Sequence, residues 1–153
     1  MKYTYHYMKY HDIDWFCKIN DRPCHFASAG GLIPNPIRER ERLRRLQQDV
    51  CLAEYIYEEN EILYNEEFLG ERFRNDEGGR ETYLRTFKEM ARKGFVSFDR
   101  TNLSNPDDNT YHVVCYPQRR GRCVLSTDEL IDIGDIVCHY EHLFLIIRIS
   151  AIY

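Results

Sequence analysis

Residues 11 to 31 read HDIDWFCKINDRPCHFASAGG. Apolar and polar positions alternate on both sides of Asn20-Asp21, a dipeptide that tolerates the positive φ of a two-residue turn. A turn there sets Ile19 opposite Arg22, Cys17 opposite Cys24, Trp15 opposite Phe26 and Ile13 opposite Ser28. One face then gathers Ile13, Trp15, Cys17, Cys24 and Phe26, and the other Asp12, Asp14, Phe16, Lys18 and His25. Pro23 falls at a non-hydrogen-bonded position, where its missing N–H costs nothing. The spacing therefore predicts a β-hairpin with an apolar face and a wet face, and Gly30-Gly31 as the turn out of it.

Outward from the hairpin, Tyr3, Tyr5 and Tyr7 alternate with polar residues and predict a preceding strand. On the other side AGGLIPNP breaks the chain, and Asn35 with Pro36 has the signature of a helix start. Leu43, Leu46, Val50, Ala53 and Tyr57 extend that helix to about residue 57. A second helix is predicted from about Arg80 to Lys93, with Tyr83, Leu84, Phe87, Met90 and Ala91 on one side and Gly94 as its stop. Strands follow at 95 to 100 and 111 to 116, then a basic loop at 117 to 122. Ser126 and Glu129 have capping-box spacing. Two last strands, 136 to 140 and 143 to 150, flank Glu141-His142. The fold class is α+β, an antiparallel sheet from N- and C-terminal hairpins packed against one long and one shorter helix. At 153 residues the chain suits one compact domain, with an N-terminal hairpin over residues 1–31, a helical middle over 35–93 and a strand-rich C-terminal region over 95–153.

The formal charge of −4 is unevenly distributed. Residues 54 to 77 carry nine acids against two arginines, residues 80 to 122 nine bases against five acids, and residues 38 to 45 five arginines against two glutamates. The longest apolar run, LFLII at 143 to 147, is far below the ~18 residues of a membrane span, so no membrane association is expected. MKYTYHYMKY lacks the apolar core of a secretion signal, which predicts a cytoplasmic protein whose six cysteines stay reduced.

That charge pattern supplies the leading functional expectation. ETYLRTFKEMARK, then GFVSFDR, a loop and YHVVCYP resemble in outline the last helix and wing of winged-helix domains. The resemblance implies a helix that enters a nucleic-acid groove while the wing touches backbone. Arg85, Lys88 and Arg92 at i, i+3 and i+7 share one helix face, and Arg119, Arg120 and Arg122 would add phosphate contacts. A protein partner comes next, since an acidic block facing an arginine-rich segment also suits a basic partner or head-to-tail homo-oligomers. GDIVCHYEHLFLIIRI is similar in outline to strands of SH3-like barrels, an interaction scaffold.

The alternative is a small metal-dependent or hydrolytic enzyme using the polar face around Asp12, Asp14 and His25, since paired carboxylates two apart on a strand point the same way. Cys24 and His25, as strand neighbours, point to opposite faces and form no nucleophile pair. Cys17 and Cys24, directly opposite, lie within disulfide reach. Cys138, His139 and His142 are the densest candidate metal ligands, but no Cys-x-x-Cys is present. P-loop, dinucleotide, nucleophile-elbow and HExxH patterns are missing, so no cofactor, metal or catalytic residue is assigned. The sequence favours a non-enzymatic macromolecule-binding module.

Overall fold

The computed structural model describes residues 1–140 and 146–149. It is a mixed α+β fold in which seven strands form one curled sheet, accompanied by four α-helices. The strands are β1 (Asp14–Ile19), β2 (Arg22–Ala27), β3 (Ile62–Tyr64), β4 (Val96–Arg100), β5 (Thr110–Pro117), β6 (Val137–Tyr140) and β7 (Ile146–Ile149). The helices are α1 (Tyr5–Lys9), α2 (Arg40–Leu52), α3 (Glu66–Arg72) and α4 (Glu77–Arg92).

The hairpin forms in the expected register, with Trp15 against Phe26 and Cys17 against Cys24. Its turn holds Asn20 at φ 52° and Asp21 at φ 63°, the two positive values that match the twist of paired strands. Around it the sheet runs β1-β2-β4-β5-β7-β6, while β3 pairs with the far end of β5. The sheet departs from the expected antiparallel pattern at one pair. β2 and β4 are parallel, with Phe26 beside Phe98, because the long helical middle lies between them and returns the chain in the same direction. Trp15, Phe26 and Phe98 form a stacked row across three strands, with centroids 4.2 Å and 4.5 Å apart, and Tyr111 of β5 meets Trp15 and Phe26 edge-on. At the β1 edge, Lys18 N–H donates to the Ile131 carbonyl, and the Lys18 carbonyl accepts from Ile133 N–H. The chain then enters β6 on the opposite edge, so residues 131 to 140 touch both ends of the sheet.

The second face of the hairpin is covered at its centre, while Asp12, Asp14 and Lys18 keep contact with water. Phe16 is 2% exposed and His25 not at all, because α4 lays Phe87 near His25 and Phe95 packs on Phe16. Leu84, Phe87 and Ala91 of α4 form a second core with Ala27, Val114 and Cys115. Consecutive Val114 and Cys115 both serve it because a bulge interrupts β4–β5 between Ser97 and Phe98. Asn65 closes the gap between β3 and β7 on the β5 edge. Its main-chain N–H donates to the Val114 carbonyl, its side-chain amide donates to the Val113 carbonyl, and its Oδ1 caps α3 at Phe68 N–H.

Two local expectations are corrected. The tyrosine-rich start is helix α1 and not a strand, because Thr4 Oγ1 caps Tyr7 N–H and the i, i+4 pairs Tyr3–Tyr7 and Tyr7–His11 stack. Period four and period two coincide in this stretch. Asn35-Pro36 opens only a single 3₁₀ turn; α2 begins after Glu39, whose carboxylate accepts from Glu41 and Arg42 N–H. It ends at Leu52, short of Tyr57, where Ile56 and Tyr57 N–H both turn to the Arg92 carbonyl. Gly94, at φ 106°, stops α4 as expected. The Glu141-His142 turn lies outside the described residues.

His112 on β5 provides a pH test of this packing. Its ring lies 3.9 Å from that of Phe68, its Nδ1 meets Thr101 Oγ1, and its Nε2 has no partner among the described residues. Burial pushes its pKa down to about 4 from an ordinary 6.5. As pH falls through 6.5 the unfolded chain takes up a proton that the folded chain refuses until about pH 4, so stability is lost across that window. The loss is on the order of 3 kcal/mol. Asp99, whose pKa burial raises, partly opposes this because the folded state protonates first. Urea denaturation at pH 7, 5.5 and 4.5 should show the decline, and His112→Gln should flatten it.

Candidate anion-binding site

Of the three basic groups in the sequence, folding treats two oppositely, the face of α4 and the loop after β5. On α4, Lys88 Nζ lies 3.7 Å from Glu59, and the Arg92 guanidinium lies 3.8 Å from Glu59 and 4.0 Å from Glu58. Arg92 Nε donates to the Tyr57 carbonyl, and its guanidinium sits 3.9 Å over the Tyr55 ring. The acidic segment after α2 thus folds back along the basic helix. Exposed ion pairs contribute only about 0–1 kcal/mol each, yet they cancel the field that would attract a polyanion. Arg85 stands exposed.

The loop after β5 keeps its charge. Arg119, Arg120 and Arg122 line a cavity of about 460 Å³ together with Arg22, which leaves the hairpin turn at the start of β2. Asp21 is the one acid among the described residues of that lining, and Asn20, Ser126 and Thr127 add neutral donors. No carboxylate of the described residues lies within ion-pair distance of any of the four arginines. The Arg22 guanidinium rests 5.6 Å over the Tyr116 ring. Its pKa is lowered by burial first and by the charge of Arg120 next, which places the two cations close enough to repel. Lys18 Nζ donates to the Thr127 carbonyl and brings a fifth cation to the vicinity.

Glycines set the loop in place. Gly121 adopts φ 110°, and at Gly94 a Cβ would run into the Arg122 carbonyl and the Cys123 Cα. The residue that ends α4 also admits the arginine loop against it, and Val124 N–H seals the contact by donating to the Lys93 carbonyl. Cys123 lines the same cavity, with a thiol that burial pushes up to about 11, which keeps it protonated and unreactive. Arg22 is the member that sequence reading missed. Its place at the turn exit was legible, but nothing local signalled that residues 117 to 122 return beside the turn.

Asp14, His25 and Ser97 are joined in series: Nε2 of His25 is 2.7 Å from Asp14 Oδ1, and Nδ1 is 2.7 Å from Ser97 Oγ. The order superficially matches an acid-base-nucleophile series, but His25 and Ser97 have no solvent exposure, so the hydroxyl meets no substrate. The series links β1, β2 and β4 through their covered face. Asp12 accepts from Ala29 N–H, and with Asp14 it lines a separate cavity of about 510 Å³ that also holds Arg44 and Lys93. Cys17 and Cys24 face each other as free thiols, the Cys17 pKa raised by burial first and then by a hydrogen bond with Cys24. Cys138 lies exposed on β6, and His142 is outside the described residues. Among the described residues no three His, Cys, Asp or Glu side chains converge to hold a metal.

Two substitutions test this assembly by urea denaturation. Gly94→Ala should cost roughly 2 kcal/mol or more, since it forces a side chain into positive φ and against the loop backbone. Ser97→Ala should cost about 1–3 kcal/mol by leaving one His25 nitrogen unpaired in the interior. Comparison with protein-family models, characterised proteins and solved structures returns no match, so the chemistry of the cavity is read from its own residues.

Proposed function

We propose that this chain is a non-enzymatic binding module for a phosphate-bearing macromolecule, a nucleic-acid strand ahead of a protein partner, held at the arginine cavity. The observation that carries the reading is the convergence of Arg22, Arg119, Arg120 and Arg122 on one cavity with no carboxylate of the described residues in ion-pair range. Guanidinium groups left without a carboxylate are strong donors to phosphate oxygens, and releasing counterions on contact makes such binding favourable and salt-dependent. The contact surface differs from the one a winged-helix outline implies. Lys88 and Arg92 serve the acidic segment, and the loop residues carry the partner.

No described helix is long and apolar enough to cross a membrane. We place the protein in the cytoplasm, where its six cysteines would stay reduced.

Fluorescence anisotropy of short single-stranded and duplex DNA and RNA across a salt series tests the proposal. Three or four phosphate contacts on a single strand should give a slope of about −2 to −3 in log K against log salt. Arg119→Glu with Arg120→Glu should cut affinity at least tenfold at low salt, while Arg85→Glu leaves it within about twofold. Absence of binding to any strand at low salt, or equal loss in Arg85→Glu, overturns the assignment.

A further inference from the structure

We infer that the arginine cavity captures the terminal phosphate of a nucleic-acid strand, a phosphomonoester dianion, in preference to the singly charged diesters along the backbone. This rests on the nucleic-acid reading above and names what the cavity itself selects.

Charge is the first argument. Four arginines against Asp21 leave a formal charge of +3 around one cavity of about 460 Å³. Arg120 is near enough to Arg22 for its charge to disfavour that of Arg22. A backbone phosphate brings one negative charge to that repulsion, whereas a terminal phosphate brings close to two at pH 7 on a single compact group with three acceptor oxygens. The cations reach this one cavity from two segments far apart in the chain, the hairpin turn and the loop after β5.

Lining chemistry gives the second argument. None of the described lining residues is aromatic, so they form no platform on which a base could stack, the feature that sustains binding along the interior of a single strand. What the cavity offers besides guanidinium is the Asn20 amide and two hydroxyls. Ser126 Oγ accepts from Asp128 N–H, which leaves its own proton available to donate to a ligand oxygen. The ring beside the arginines, Tyr116, lies under the Arg22 guanidinium and positions it. Preorganisation of this kind favours a small, fixed, highly charged group.

The test uses one oligonucleotide sequence in three forms, with a 5′-phosphate, a 3′-phosphate or hydroxyls at both ends, each titrated by anisotropy against the full chain. One phosphorylated form should bind at least tenfold tighter than the hydroxyl form. That ratio should fall towards one between pH 7 and 5.5 as the second phosphate proton, with a pKa near 6, is taken up. Arg120→Gln, at an exposed position, and Arg22→Gln should each collapse the ratio and leave residual binding of the hydroxyl form. Equal binding of all three forms overturns this inference and leaves the nucleic-acid reading standing; no binding of any form overturns both. Competition by inorganic phosphate at concentrations comparable to the oligonucleotide assigns the cavity to a free anion and overturns the strand-end assignment.

Discussion

Phe26 lies between Trp15 and Phe98 in one stacked row, and the rest of the molecule is arranged around that contact. The first stack is local, made by a two-residue turn. The second joins residues 72 positions apart and requires β4 to run parallel to β2. A parallel neighbour cannot be reached by a tight turn, so the chain between must leave the sheet and come back. The three helices α2, α3 and α4 are that detour. Their apolar sides need a surface: Leu69 of α3 and Leu84, Phe87 and Ala91 of α4 pack in the second core, while Leu43, Leu46 and Val50 of α2 join the core that holds the aromatic row.

Covering the second face has a cost in polar groups. Asp14, His25, Ser97, Asp99 and His112 sit on strands whose outer face no longer meets water freely. Each is given a partner: His25 takes both Asp14 and Ser97, Tyr83 donates to Asp99, and Thr101 meets His112. Arg100, 3% exposed, donates to four main-chain carbonyls, those of Ser28, Ala29, Asn102 and Asn105. It thereby ties the exit of the hairpin to the loop before β5. Buried charge satisfied by carbonyls in this way fixes loops and offers nothing to a ligand. The arrangement that looks most like catalytic machinery is therefore a consequence of two-sided packing.

The local half of this architecture was legible in the sequence. Alternation about Asn20-Asp21 fixes the hairpin register, the spacing of Leu84, Phe87 and Ala91 fixes the buried side of α4, and Gly94 fixes where it stops. The parallel β2–β4 pair was not legible, because strands 24–27 and 96–99 carry no pattern that distinguishes one direction from the other. Nor was the burial of His25, since period-two alternation assigns a residue to a face and says nothing about what later covers that face. The tyrosine-rich start failed for another reason: spacings of two and four coincide there, and Thr4 decides between them only through a cap. At the site, Arg119, Arg120 and Arg122 were visible as a cluster, while Arg22 joins them through tertiary folding alone.

The same distinction governs where positive charge is available. Along the sequence, the basic face of α4 and the loop after β5 look equivalent. In the folded chain α4 lies against the acidic segment that precedes it, because Tyr57 and Ile56 are held at the Arg92 carbonyl and carry Glu58 and Glu59 with them. The loop is placed by Gly94 and Val124 next to a hairpin turn with only Asp21 to offer in opposition. In a chain of net charge −4, this cavity groups four arginines against a single acid of its described lining. Charge segregation by sequence position is thus a poor guide to which cations meet a carboxylate, because folding alone brings Glu58 and Glu59 to α4 and leaves the loop after β5 without such a neighbour among the described residues.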